Sequence, residues 1–441
     1  MSPIGRYELL LGTALLTLAT TAMWIRHGGL DQFDRVDGWF IGLGQLTSLY
    51  ATLALLATML LVARVPWIER AIGLDLLNHW HRWAAIVATV LIGLHLVGST
   101  LGYAIDAETG VVAQFGIFLT DWPDMITATV GTVVFLLVGL TSARFARRMA
   151  RYEIWWLVHL TGYIALVLPY FHETSTGFDF FDDAVARAFW ITMHVAVGVA
   201  LVAFRLGMPV ARALRHRLRI DEVRMETDDT ATITVRGHDL DRLRVAGGQF
   251  FLLRFLTGDR WWKAHPYSLS AAPDGESLRF TIKALGDDSA AALRLPVGTR
   301  IVAEGPYGHV SAALATREKV VLIGGGIGIT PIRAIFEDLH RPPGTVEVLY
   351  RTRRRDEAPL LDELRELADV RGHRLVVSYS REPGEEDPDP FAPDRLLERF
   401  PDLGERDVFL CGPPGVIAGA LDGLYEAGVP ARRIHRERFV Y

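Results

Sequence analysis

Hydrophobic positions along this chain follow two regimes. Through about residue 210 they come in long uninterrupted blocks, and from about Arg219 they fall into short alternating runs. Roughly 20 apolar residues are needed to cross a bilayer as a helix. By that measure the blocks predict six spans, near residues 8–25, 40–62, 80–103, 126–143, 153–171 and 187–206. The first block has no basic leader and no small-residue cleavage site, so it is expected to be a retained helix rather than a signal peptide. The later runs TATITVRG, GQFFLLRF, SLRFTIKAL and TRIVAEGP have the period of β-strands and predict a small antiparallel barrel. Alternating strands and helices then predict a parallel α/β sheet. The expected domains are a transmembrane domain over 1–212, a barrel over 213–314 and an α/β nucleotide-binding domain over 315–441.

Composition agrees with a chain of two characters. Half of the 441 residues are apolar and 22% are charged, with a mean hydropathy of +0.22. That is too apolar for an ordinary soluble enzyme and too charged for a purely membranous one. The net charge of −5 comes without a basic stripe interleaved with aromatics, so no nucleic-acid partner is expected. Cationic loops orient the spans. Arg64 and Arg70, then Arg144, Arg147, Arg148 and Arg151, then Arg212, Arg215, Arg217 and Arg219 mark one side. The other side is mainly acidic, with Asp31, Asp34, Asp37, Asp106, Glu108, Asp121, Asp124, Glu173, Asp179, Asp182 and Asp183. A multi-pass cell-membrane protein with both termini cytoplasmic is expected.

Two spans carry paired histidines: His81 with His95, and His159 with His172. Ionisable side chains in hydrocarbon are costly, and four on two spans point to a demand for imidazole nitrogen, haem iron first. Separations of 14 and 13 residues both correspond to roughly 20 Å along a helix. The topology places His81 level with His159 at the inner face and His95 level with His172 at the outer. Helical phase agrees only in part: His95 falls within about 40° of His81, whereas His172 is about 140° from His159, and Pro169 is expected to kink the helix between them. His79 and His194 are expected to be structural, and no carboxylate is expected to grade the histidines into a proton pathway. The single cysteine, Cys411, excludes an iron-sulfur cluster, a disulfide and a C-x-x-C-H haem attachment within this chain.

The soluble half adds four motifs. His265-Pro266-Tyr267-Ser268-Leu269-Ser270 sets an aromatic beside small hydroxyls, a pattern suited to a flat heteroaromatic ring. Lys283, Gly286 and Ser289 lead into a helix start that could receive a pyrophosphate. Gly324-Gly325-Gly326-Ile327-Gly328-Ile329-Thr330-Pro331 joins a strand to a helix, where glycine lets backbone approach a nucleotide. Ser380 and Arg381 end a later strand and suit an adenosine 2′-phosphate, which favours NADPH over NADH, with Arg351 and Arg353 as second contacts. Cys411-Gly412-Pro413-Pro414-Gly415 ends another strand.

Together these residues resemble the ferric reductase and NADPH oxidase superfamily over nearly the whole chain. The resemblance implies a six-helix bundle with two b-type haems, held through H-x13-H (His81, His95) and H-x12-H (His159, His172), fused to a ferredoxin-NADP reductase-like flavoprotein. HPYSLS is similar to its FAD motif, GGGIGITP to its dinucleotide loop and CGPPG to the segment beside the nicotinamide. Glu437-Arg438-Phe439 resembles its acidic-x-aromatic ending, with Tyr441 an alternative stacking ring. Cys411 and Glu437 are then expected to position the nicotinamide and Phe439 to cover the flavin.

The implied activity passes electrons from cytoplasmic NAD(P)H through FAD and two haems to an extracytoplasmic ferric or cupric chelate, or to dioxygen, without a required protein partner. Ser99 stands where superoxide-forming members carry a further histidine, which leaves the acceptor open. Two alternatives stand beside it. One is a membrane-anchored flavin reductase serving a soluble protein such as an oxygenase component, and the other is a nucleotide-gated proton channel.

Overall fold

The computed structural model describes residues 6–143, 152–177, 183–258 and 260–436. The chain separates into two compact units, residues 1–72 with 76–205, and residues 73–75 with 206–441.

Six helices of the described residues are long and apolar enough to cross a membrane: Tyr7–Arg26, Val36–Val62, Leu74–Asp106, Met125–Ser142, Glu153–Thr176 and Ala184–His216. Their packing in the first unit relies on small residues, because lipid offers no hydrophobic force to bring helices together and close backbone approach must supply the contact. A side chain on Gly44 of the second span would start 2.7 Å from Ser99 Oγ of the third, and one on Gly102 would start 2.5 Å from Ile41 Cγ1. The fourth and fifth spans meet where Gly131 faces Pro169. The fifth span is also interrupted at Thr161, between Tyr152–Leu160 and Gly162–Thr176, so two irregularities separate His159 from His172. Those breaks lie where the ideal helical phase of the two histidines disagreed.

In the second unit, six strands form two antiparallel three-stranded sheets. β1 (Arg219–Thr227), β2 (Thr230–Arg236) and β5 (Ser277–Lys283) lie in the order β1-β2-β5. β3 (Phe250–Phe255), β4 (His265–Ser268) and β6 (Ile301–Tyr307) lie in the order β4-β3-β6. Alternate residues Ile220, Ile233, Val235, Phe251, Leu253, Phe280 and Ile282 point inward and are buried, as a period of two requires.

A five-stranded parallel sheet follows, ordered β11-β10-β7-β8-β9. Its strands are β7 (Val320–Gly325), β8 (Val346–Thr352), β9 (Arg374–Tyr379), β10 (Asp407–Cys411) and β11 (Ile434–Arg436). Helices cover both faces, which explains why β7 and β10 read as continuous apolar runs. From β7 the chain winds outward through β8 and β9, then returns to place β10 on the other side of β7. The order therefore reverses between β7 and β10.

Candidate functional site

The four histidines of the bundle share one hydrogen-bonding habit: each engages a neighbour through Nδ1. His81 Nδ1 donates to Thr58 O and His95 Nδ1 to Gly44 O, both at 2.9 Å. The two acceptors are 14 residues apart on the second span and the two histidines 14 apart on the third, so antiparallel helices meet in one register twice. Gly44 can present its carbonyl so closely because it has no side chain to hold Ser99 away. His159 Nδ1 lies 3.1 Å from Ser142 Oγ and His172 Nδ1 3.1 Å from Thr176 Oγ1. Thr176 spends its own proton on His172 O, so the His172 ring donates. A carbonyl partner fixes the proton on Nδ1 and presents the Nε2 lone pair, the arrangement typical of metal-ligating histidine.

Across the bundle, the His81 and His159 rings face each other with centroids 6.1 Å apart and planes at 69°. Trp155 stacks on His159 at 5.1 Å. The structure thus brings His81 and His159 together across the bundle.

Glu173, expected in an outer loop, lies near the end of the helix Gly162–Thr176, accepts from Thr52 Oγ1 at 2.9 Å, and sits 3.5 Å from His194 Nε2. His194, which also packs against Tyr170 with centroids 4.9 Å apart, therefore has a carboxylate partner on another span. No local spacing marks this pair, because its members lie on different spans. His79 accepts from Trp83 Nε1 at 3.1 Å, a contact within one helix.

In the barrel, β4 pairs with β3 so that Pro266, Tyr267 and Ser268 lie opposite Leu252, Phe251 and Phe250. Tyr267 packs beside Phe255, and burial pushes its hydroxyl above the usual range. Asp288 gathers Lys263 Nζ at 3.1 Å, His265 Nε2 at 3.3 Å and Arg260 Nη1 at 3.7 Å. Burial, against the pull of Asp288, holds His265 below the usual histidine range. Arg260 and Lys263 are residues that motif reading missed; the signal was the cationic run just ahead of HPYSLS.

Lys283 instead pairs with Asp229 at 3.1 Å. Ser289 Oγ accepts from the amides of Leu285 and Gly286, at 2.9 and 3.0 Å, and so closes its own helix start. Ser270 is fully buried, its carbonyl accepting from Arg279 and Arg333, and its Oγ has no partner among the described residues.

The glycine loop sits at the reversal of strand order, where open α/β sheets collect ligands. Gly324 is in register with Cys411, so Gly325, Gly326 and Gly328 adjoin Cys411, Gly412 and Pro413 across the carboxyl ends of β7 and β10. The approach is tight: a side chain on Gly328 would start 2.5 Å from Gly412 Cα, and one on Gly325 2.7 Å from Val416 Cγ1. Gly326 has φ +51°, a left-handed conformation that favours glycine. Thr330 Oγ1 donates to Ile327 O at 2.8 Å, and Pro331 follows on the buried helix Ile329–Asp338.

At the far side of the sheet, Ser380 and Arg381 donate backbone bonds to Thr352 O and Arg353 O, which sets the exposed Arg353 and Arg381 side by side. Arg351 is committed elsewhere, to Ser378 Oγ, Tyr379 O and Asp387 O at 2.6–3.0 Å. Glu437, Phe439 and Tyr441 lie outside the described residues.

Residues 47–170 match the family described as ferric reductase like transmembrane component, and residues 322–422 match the oxidoreductase NAD-binding domain. The chain joins a ferric-reductase-like transmembrane domain to an oxidoreductase NAD-binding domain. It is similar to the ferredoxin reductase component of 3-ketosteroid-9-alpha-monooxygenase of Mycobacterium tuberculosis, with 32% identity over 235 residues, 50% of this chain and 64% of that one. Similarity to dual oxidase 1 of Homo sapiens extends into the membrane half, with 23% identity over 346 residues, 71% of this chain and 21% of that one.

The flavohem-like FAD/NAD binding domain of nitric oxide dioxygenase from Vibrio cholerae O1 biovar El Tor matches with a TM-score of 0.41 and 24% identity, over 51% of this chain and 98% of that one. The chain spans from half to just under two thirds of the length of the bacterial curated relatives it matches. An antiparallel barrel followed by the five-stranded parallel sheet is the ferredoxin reductase-like fold, here joined to a membrane-spanning oxidoreductase domain.

Proposed function

We propose that this chain is a transmembrane oxidoreductase that passes electrons from cytoplasmic NAD(P)H through FAD and two b-type haems to an extracytoplasmic acceptor, a ferric or cupric chelate or dioxygen. Residues 1–212 form its haem-binding part, 213–314 its FAD-binding barrel and 315–441 its nucleotide-binding part, with both termini cytoplasmic.

The observation that carries this reading is the facing pair His81 and His159. The two rings are 6.1 Å apart, a separation at which one metal ion between them would be within bonding reach, about 2 Å, of a nitrogen from each. Nδ1 bonding to a carbonyl, as at His81 and His95, suits the same role. His81 with His159 would hold the inner haem and His95 with His172 the outer. When bound, the flavin supplies the conversion of a hydride into single electrons and the haems supply one-electron carriage across the bilayer.

The remaining work belongs to side chains and backbone. Arg260 and Lys263 set two cations beside the HPYSLS strand, a complement to a pyrophosphate, while Tyr267 and Ser268 face the flat ring. The turn Gly324–Gly328 brings backbone amides to the dinucleotide at the start of a helix. Cys411, Gly412 and Pro413 would line the nicotinamide edge, and Arg381 with Arg353 would recognise a 2′-phosphate.

The test uses the purified full-length protein in liposomes. A low-spin bis-histidine haem spectrum with about two haems and one flavin per chain is expected, together with reduction of external ferric citrate by NADPH held inside. A haem-free preparation that keeps full transmembrane activity would overturn the reading.

Similarity to a ferredoxin reductase component favours a second reading, in which the spans anchor a flavin reductase that serves a soluble oxygenase component. It differs in one outcome: substituting His95 and His172 would then leave NADPH oxidation by the physiological acceptor unchanged.

A further inference from the structure

The helix Met208–His216, which follows the sixth span, packs on the barrel with the wrong side by the standards of a soluble domain. Its polar side chains face the protein. Arg212 donates to Gly305 O, His216 donates from Nδ1 to His238 O at 2.8 Å, and both line a small cavity with Leu218, Leu243 and Phe251. Its apolar side faces outward. Leu206, Val210 and Leu214, at steps of four residues, are 62%, 57% and 69% exposed. A surface helix of a soluble domain turns its apolar stripe to the core and its charges to water, so this helix is inside out. A contiguous apolar row left exposed marks a surface that something else covers.

Continuity of the chain identifies the cover. From Ala184 to Gly207 the chain is helical for 24 residues, roughly 35 Å and enough to cross a hydrocarbon core of about 30 Å. Leu206, Val210 and Leu214 therefore begin where a membrane-spanning helix emerges. Arg215 pairs with Asp239 at 3.0 Å, and the exposed Arg217 closes the segment, where it can reach the headgroup layer.

We infer that Met208–His216 is an interfacial helix that, with Leu206 just before it, seats Leu206, Val210 and Leu214 in the acyl–headgroup boundary of the bilayer while its polar face grips the barrel. The segment would couple the flavoprotein unit to the lipid surface by a contact beyond covalent attachment. This inference rests on the sixth span crossing a membrane and not on haem, flavin or nucleotide.

Spin labels test it. Cysteines are placed singly at 206, 210 and 214, with a control at Glu222 on the exposed face of β1, in full-length protein carrying Cys411→Ser. The protein is reconstituted in vesicles of three parts phosphatidylcholine to one part phosphatidylglycerol, and monodisperse elution before reconstitution certifies the fold of each variant. At 206, 210 and 214 collisions with oxygen are expected to exceed those with a water-soluble nickel chelate several-fold, with the ratio reversed at 222. Nickel accessibility equal to that of the control at all three sites would put the row in water. Low accessibility to both reagents would put it against protein, such as a second copy. Either outcome overturns the inference, and failure of the haem reading would leave the labels unaffected.

Discussion

Arg279 of the barrel and Glu363 of the nucleotide-binding part lie 2.6 Å apart. Arg333 reaches the same carboxylate at 3.0 Å and Arg224 at 2.5 Å, so one glutamate ties strands β1 and β5 to the helices that follow β7 and β8. Burial opposes ionisation of Glu363, but the three guanidiniums prevail and hold its carboxyl below the usual carboxylate range. The relative placement of barrel and sheet therefore depends on a charge that acid removes.

A group whose folded value is depressed contributes stability above its unfolded value, and that contribution is lost as the pH falls through the folded value. For Glu363 the loss begins below about 4.5. The thermal midpoint of the second unit is expected to fall as the pH drops below about 4.5, and Glu363→Gln to flatten that fall. Near neutral pH the same substitution should destabilise by on the order of 1–3 kcal/mol, because it takes the carboxylate from Arg279 while Arg333 keeps Glu337 at 2.6 Å. Scanning calorimetry across pH checks both, and an unchanged profile would deny the clasp its role.

Gly44→Val tests the helix contact behind His95. The added side chain starts 2.7 Å from Ser99 Oγ and 2.9 Å from Ser99 N, so the second and third spans must separate and the His95–Gly44 bond must break. Loss of a partner that orients a ligating histidine weakens metal affinity by about tenfold or more. The expected result is selective loss of the outer haem with the His81/His159 haem retained, read from absorbance and redox titration as two components becoming one.

Gly328→Ala tests the strand-order reversal. Its new Cβ would lie 2.5 Å from Gly412 Cα and 2.6 Å from the Cys411 carbonyl carbon, which are backbone atoms that cannot swing away. Flavin reduction by NADPH in stopped flow is expected to slow by about tenfold or more, with the haem spectrum unchanged. A wild-type rate would mean that the loop is a structural bend.

Arg381→Gln, alone and with Arg353→Gln, tests coenzyme choice. Hydrogen bonds to a charged group contribute about 1.5–3 kcal/mol, so the preference for NADPH over NADH is expected to fall by about tenfold for the single change. KM for NADH should stay as it was. If both coenzymes weaken equally, these arginines act on the fold and not on the phosphate.

Periodicity was enough to specify the elements. Blocks of some twenty apolar residues gave the six spans, a period of two gave the barrel strands, and the glycine run after β7 marked a turn into a helix, because each signal is local and acts through backbone geometry. The histidine pairs were legible for the same reason: a spacing along one helix is a distance along its axis. What tertiary structure decided is what lies between elements. The carbonyls of Thr58 and Gly44 behind His81 and His95, the meeting of Glu173 with His194, the diversion of Lys283 to Asp229, and the clasp at Glu363 all join residues remote in sequence. Hydrogen bonds and ion pairs act over about 3 Å, and chain packing alone brings such atoms within reach. Hydrophobicity told which residues of Met208–His216 were apolar, and only packing told which way they face.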